Sequence, residues 1–278
     1  DLSLNKNNFF TDVSNYLSYE TGQPTHCYDA NTIKGKLLFH EIEKNEEFET
    51  LLDKKIALTG KNAVFSLNSE VINLAGVVGG KSTSCSVNTK TVIIECAFFQ
   101  PEAIIGKSVK YDIQSEASHK FERRVDPDCN DKVLRRFIKL VSEHTKIRDM
   151  SIISYKSKDN IITQIPVNVH KINQIIGINI SEKQYLNHLS KLGFVIEENF
   201  IKVPSFRSDV KTQNDLAEEV ARVIGYDNIA TSEISIPKNE KTNHKAIENK
   251  LKYFLLDHGF YEVINSPFVN LSSEEAIR

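Results

Sequence analysis

The sequence predicts an α+β fold on three observations. Short β-branched and aromatic runs dominate residues 33–99, helical periodicity takes over at 130–144, and the strands precede the helices without the regular alternation that builds a parallel α/β sheet. The expected layout is a mixed, strand-rich first domain with helices, then a small mainly helical module, then the start of a further α+β domain.

Leu37-Leu38-Phe39, Ile56-Ala57-Leu58, Ala63-Val64-Phe65 and Val71-Ile72-Asn73-Leu74 read as strands because Gly, Asn and Lys turns separate them. Val133, Leu134, Phe137, Ile138 and Val141 recur at helical spacing and predict a helix over 130–144. A first domain over residues 1–153 follows, with Tyr155 to Asn160 as a polar linker. The second module, 165–232, is expected to contain two helices. In one, Ser181 and Gln184 form a capping box, Tyr185, Leu186, Leu189 and Leu192 make the apolar stripe, and Gly193 ends it. The other runs from about Asn214 to Ile224 and stops at Gly225. After Pro237 a third segment, 245–278, shows a helix ending at Gly259 and a strand at Tyr261-Glu262-Val263-Ile264.

With 40% hydrophobic and 26% charged residues, the 278-residue chain has the composition of a globular protein with roughly two domains' worth of length. Its apolar runs are too short to span a bilayer, and no leader-like segment opens it, so a cytoplasmic protein without membrane contact is expected. Cys27, Cys85, Cys96 and Cys129 form no C-x-x-C pair, which argues against a zinc site and a disulfide framework. A formal charge of -2 excludes a uniformly basic nucleic-acid binder, so any RNA contact is local. Starting at Asp1 and stopping at Arg278 inside a helix-like run, the chain reads as a piece of a longer polypeptide.

Five constellations carry chemistry. Glu95 lies inside the apolar run Thr91 to Phe99, where a carboxylate needs a partner or a ligand, or else a half-exposed strand. Upstream, Leu74-Ala75-Gly76-Val77-Val78-Gly79-Gly80 lets a ligand approach the backbone. It is not a phosphate-binding loop, because Ala75 stands where the first glycine is required and strand, not helix, follows. Gly22-Gln23-Pro24-Thr25-His26 presents a histidine on a turn, which serves as a site residue only if the fold supplies a partner. Ser115 to Pro127 is charged and turn-forming: either a solvated helix, or Lys120, Arg123 and Arg124 facing a phosphate backbone. Finally, Asp209, Asp215, Glu218 and Glu219 crowd carboxylates near one helix face. Either the helix dipole favours them there, with Glu218 paired to Arg222, or a hard divalent cation relieves them.

Six stretches in order make the chain resemble the beta subunit of bacterial-type phenylalanyl-tRNA synthetase. They are Gly22-Gln23-Pro24-x-His26-x-Tyr28-Asp29, Leu74-Ala75-Gly76-x-x-Gly79-Gly80, Ile94-Glu95-x-Ala97-x-Phe99, Ala117-Ser118-x-x-Phe121-Glu122-Arg123-x-Val125-Asp126-Pro127, Pro204-Ser205-x-Arg207-x-Asp209, and Asp215-Leu216-x-Glu218-Glu219-Val220-Ala221-Arg222 on to Gly225-Tyr226-Asp227-x-Ile229.

The resemblance implies a tRNA-editing domain over 1–153, the small module after it, and the beginning of a catalytic-like domain from 245. It implies hydrolysis of tyrosine misattached to phenylalanine tRNA, with His26, Gly76, Gly79, Ser115 and Ala117 lining the hydrolytic pocket and Glu95 binding the tyrosyl phenol. Asp209, Asp215, Glu218 and Glu219 match magnesium ligands near an alpha-subunit interface. Expected partners are that alpha subunit, in an alpha2beta2 hetero-oligomer, and tRNA(Phe). ATP would be used by the whole enzyme and not bound by this segment. The alternative is a non-hydrolytic module that holds tRNA and the alpha subunit through a degenerate pocket. The chain departs from the family at Arg124, where glycine is usual, at Cys27 and Tyr28, where alanine and phenylalanine are usual, and at Ser115, often threonine.

Overall fold

The computed structural model describes residues 6–155, 162–231 and 245–265. The expected linker falls almost entirely at 156–161, outside these residues.

The chain enters through helix α1 (Phe9–Thr21), which Asn8 caps by accepting the Thr11 amide. Gly22 ends it in the left-handed region, at φ 76°, with its amide donating to the Ser18 carbonyl. This reversal sends the chain straight into β1 (His26–Asp29). His26 therefore stands on a strand, not on the turn expected from glycine and proline; four residues between turn signals are too few to betray a strand before its partner is known. That partner arrives more than sixty residues later.

Between them lies an antiparallel system. Strands β2 (Leu37–Ile42), β3 (Glu46–Glu49), β4 (Lys55–Leu58), β5 (Asn62–Leu67), β6 (Glu70–Leu74) and β7 (Val78–Gly79) form one four-stranded sheet in the order β2-β5-β6-β7 and one hairpin, β3-β4. Strand β8 (Val92–Glu95) then returns to β1, with His26 opposite Glu95, Cys27 opposite Ile94 and Tyr28 opposite Ile93. Short helices α2 (Pro101–Ile104), α3 (Lys107–Lys110) and α4 (Glu116–Glu122) precede the long α5 (Asn130–His144).

Alternation along β1 and β8 separates two environments. Cys27 and Ile94 point to the side covered by α1 and α5 and join a core with Leu17, Phe137 and Val141. The larger core, under the four-stranded sheet, holds Leu58, Val64, Leu74, Ile104, Ile113 and Phe121. All four cysteines are unpaired.

A separate core gathers Ile165, Ile172, Tyr185, Leu189, Ile201, Leu216 and Val220. It is built by β9 (Gln164–Pro166), α6 (Val169–Ile176), α7 (Glu182–Lys191), β10 (Val195–Ile196), β11 (Phe200–Lys202) and α8 (Gln213–Ile224), whose strands form an antiparallel sheet in the order β10-β11-β9. The capping box of Ser181 with Gln184 is present, and Thr212 with Asp215 makes a second. Helix α6 is a third helix where two were expected. At eight residues it shows barely two turns of periodicity, and it relies on Asn168 and Gly177 to cap its ends.

Residues 231–278 form their own unit, of which α9 (Lys245–Asp257) is the described element. The strand expected at Tyr261 to Ile264 is not formed: no described residue pairs with it, and a strand without a ladder partner leaves its backbone groups to water. Among the described residues, no helix is long and apolar enough to cross a membrane.

Candidate functional site

Antiparallel register puts His26 and Glu95 directly across from each other, so both side chains leave the same face of the β1-β8 pair. Tyr28, two residues on from His26, shares that face. Gln23 locks the pair at its base: its buried amide donates to the carbonyl of Ala97 at 2.8 Å and to that of Pro24. The glycine turn closes from the other side. A methyl at Gly79 would come within 2.3 Å of the His26 ring and 2.9 Å of Leu51, so only glycine lets β7 lie against the histidine. Three segments spread over seventy residues thus meet, and each was singled out by its residue types alone.

Electrostatics at this point are unusual. Burial pushes the Glu95 carboxyl up to about 7, opposed by the hydrogen bond it accepts from Tyr28. The Tyr28 hydroxyl donates to Glu95 Oε2 at 2.7 Å and accepts from Asn73 Nδ2 at 2.8 Å. Asn73 is itself buried on β6. Burial lowers His26 to about 4, so the ring is neutral near pH 7. Its Nε2 is buried without a hydrogen-bond partner, an arrangement that costs free energy until a ligand or water fills it. The ring packs edge-on against Tyr28 with centroids 4.4 Å apart.

The remaining expected pocket residues do other work. Gly76 has φ +69°, and a methyl there would meet Ile104, Phe99 and Phe121 at 2.8–3.3 Å, so its missing side chain makes room for core packing. Of the backbone amides in the glycine turn, those of Val77 and Gly80 are spent on the carbonyls of Leu74 and Ile72. Ser115 caps α4 by accepting the Ser118 amide, and its hydroxyl donates to the Val77 carbonyl at 2.6 Å, pinning the helix to the glycine turn. Ala117 packs against the main core. Sequence reasoning marked Tyr28 only as a departure from the family and Asn73 only as a strand residue; their link to Glu95 gives no signal until the sheets stack.

The departures now have places. Cys27 faces the helix-covered core, away from His26. Arg124 has φ 68°, the left-handed conformation that glycine takes without strain, and its guanidinium lies 5.9 Å from the Phe98 ring centroid.

The four acids of the second module are drawn to different partners. Arg207 binds Glu219 through two hydrogen bonds of 2.7 and 2.8 Å and also grips Asp209, holding both carboxyls below their usual range. Arg222 pairs with Glu219, not with Glu218 as the helical spacing had suggested. Asp215 accepts from the amides of Lys211 and Thr212 in its capping box. Glu218 is exposed whereas Glu219 is 5% exposed, so the acids do not share one face. Among the described residues, no group of three or more His, Cys, Asp or Glu side chains is arranged to hold a metal ion. An arginine stands where a cation would, and as folded these residues do not fit one.

Comparisons with known proteins match the chain in two stretches. A family described as "B3/4 domain" matches residues 3–146, and one described as "tRNA synthetase B5 domain" matches residues 165–226. The protein named "Phenylalanine--tRNA ligase beta subunit" of Ehrlichia canis (strain Jake) is 33% identical over 282 residues, covering 99% of this chain and 35% of the relative. Its namesake in Psychrobacter arcticus is 31% identical, covering 98% and 35%. The chain thus spans about a third of the length of these curated relatives. A solved N-terminal fragment of the Pyrococcus horikoshii phenylalanyl-tRNA synthetase beta-subunit is 14% identical, covers 76% of this chain and 64% of that one, and superposes with a TM-score of 0.38, too low to bear on the fold. A B3/4 domain joined to a B5 domain, with relatives of one name along almost its whole length, means that this chain belongs to the phenylalanyl-tRNA synthetase beta-subunit family.

Proposed function

We propose that the first domain hydrolyses tyrosine misattached to phenylalanine tRNA. It would do so inside an alpha-beta ligase whose ATP-dependent synthetic site lies outside residues 1–278. The reading rests on the meeting of Glu95, His26 and Gly79 on one face of β1-β8. A synthetic pocket built for an apolar ring cannot strongly reject the same ring with an added hydroxyl, so a second site must favour that hydroxyl. An ionised Glu95 does this: it accepts from a phenol, whereas a plain phenyl ring strips its water and returns nothing.

His26 is neutral at working pH and has a free Nε2, so it orients a water or the terminal ribose without introducing charge. The water adds to the ester carbonyl, and the ribose oxygen leaves with a proton. Glu95 is committed to phenol hydroxyls and His26 is too weakly basic, so the tRNA's own ribose hydroxyl is the proposed proton carrier. Four unpaired cysteines are consistent with a cytoplasmic setting. In this reading 1–153 is the editing domain, 165–232 the small module and 245–278 the beginning of a catalytic-like domain, with tRNA(Phe) and an alpha subunit as partners. The magnesium expected at Asp209, Asp215, Glu218 and Glu219 has no part in this reading, because Arg207 already holds two of those acids.

A non-hydrolytic tRNA-holding and assembly module is the competing reading. One observation favours it: the Ser115 hydroxyl and the Val77 and Gly80 amides are committed to backbone carbonyls. Deacylation by the full-length protein decides between the two. Tyr-tRNA(Phe) should be hydrolysed and Phe-tRNA(Phe) spared. Equal rates, or undiminished discrimination in Glu95→Ala, would refute the assignment, and no hydrolysis beside normal assembly supports the alternative.

A further inference from the structure

The group that donates to Glu95 in the free protein is a phenol, the same group that the proposed substrate would bring. Tyr28 is 1% exposed and held at both ends of its hydroxyl, accepting from Asn73 and donating to Glu95 Oε2. Its proton is therefore committed to the carboxylate before any ligand arrives. Phe65 lies 6.4 Å from the Tyr28 ring centroid and His26 packs on it edge-on, so the ring has no freedom to swing away.

We infer that Tyr28 is a built-in surrogate for the substrate phenol, a specificity residue that satisfies Glu95 in the empty site and so weakens the site's separation of tyrosyl from phenylalanyl groups. This deepens the editing reading and takes its substrate class from it. The argument is one of unmade hydrogen bonds. A carboxylate with no internal donor loses water to a phenyl ring without compensation, and that loss is what rejects the ring. Here Oε2 keeps a charge-assisted bond whichever ring enters, so a phenyl ring is penalised less. The neighbouring Cys27 points into the other core and has no part in this. A tyrosine serving only to tie β1 to β6 would stabilise the fold without altering the preference.

The test compares equilibrium binding of two non-hydrolysable probes, the amide-linked analogues of tyrosyl-adenosine and phenylalanyl-adenosine, to the full-length protein and to Tyr28→Phe at about pH 8. Wild type should prefer the tyrosyl probe by less than roughly a hundredfold, far below what a site built solely to bond a hydroxyl achieves. Tyr28→Phe should raise that preference by roughly tenfold or more, the worth of an unpaired buried acceptor. In a Glu95→Gln background the same substitution should change it by less than about twofold, because the effect travels through the carboxylate. The inference is overturned by an unchanged or lower preference in Tyr28→Phe, by an equal rise in the Glu95→Gln background, by a wild-type preference above a hundredfold, or by failure of both probes to bind. The wild-type arm decides even if the variant does not fold. A risen preference with no hydrolysis of either aminoacyl-tRNA removes the editing reading and leaves this one standing.

Discussion

Replacing Glu95 with glutamine tests whether position 95 stores free energy for a ligand. Glutamine preserves the shape and a carbonyl oxygen to accept the Tyr28 hydroxyl, and it removes the charge while turning the other oxygen into an amide donor. Burial raises the carboxyl from 4.5 to about 7. At roughly 1.4 kcal/mol per pH unit, that rise makes the ionised form cost on the order of 3 kcal/mol in the folded protein, an upper figure because the side chain keeps partial contact with solvent. The sign follows from the raised value. Below pH 4.5 the group is protonated folded and unfolded and contributes nothing. As pH climbs towards 7 the unfolded chain releases the proton first, and stability falls. Glu95→Gln should therefore melt close to wild type near pH 4.5 and about 2–8 °C higher at pH 8, taking 2–4 °C per kcal/mol and a realised gain of 1–2 kcal/mol. Thermal melting across that pH range reads the result. A gain equal at both pH values, or no gain at pH 8, would show that ionisation at position 95 is not the source of strain. The same variant should lose its preference for a tyrosyl ester, since a neutral amide is cheap to desolvate beside a phenyl ring.

Gly79→Ala should cost about 1–3 kcal/mol by driving a methyl into the His26 ring, and His26→Ala in the same chain should recover most of it; a denaturant titration showing no recovery would mean the two do not share space. Arg124→Gly should leave stability unchanged or raise it by about 0.5 kcal/mol, because relief of the left-handed backbone outweighs a long cation-π contact. A loss above about 1 kcal/mol would assign Arg124 a packing role that its geometry does not suggest. Millimolar magnesium should leave the wild-type melting temperature within about 1 °C, since Arg207 already neutralises two of the four acids, whereas Arg207→Gln should lose about 3 kcal/mol and gain a magnesium response. A magnesium shift in wild type would overturn that account.

Local chemistry made part of this protein legible from residue order. Helix α5 carries its stripe at Val133, Phe137 and Val141, and α7 declares both ends through Ser181, Gln184 and Gly193, because capping and periodicity act over three or four residues. The strands around Val64 and Ile72 were visible for the same reason. Glu95 could be flagged as an acid in an apolar run, and His26 and Gly79 as residues whose types carry chemistry. None of them could be assigned a neighbour. Strand β1 was hidden because a strand exists only through its ladder, and the partner of His26 is 69 positions away. Stacking β1-β8 on the four-stranded sheet decided that Tyr28 reaches Glu95, that Asn73 reaches Tyr28, and that Gly76 serves the core while Gly79 serves the histidine. In the second module the approach of the Arg207 loop to α8 decided that Arg207 takes Glu219. Those outcomes belong to pairs distant in sequence, and the free energy of a buried charge is set by whatever the fold brings beside it.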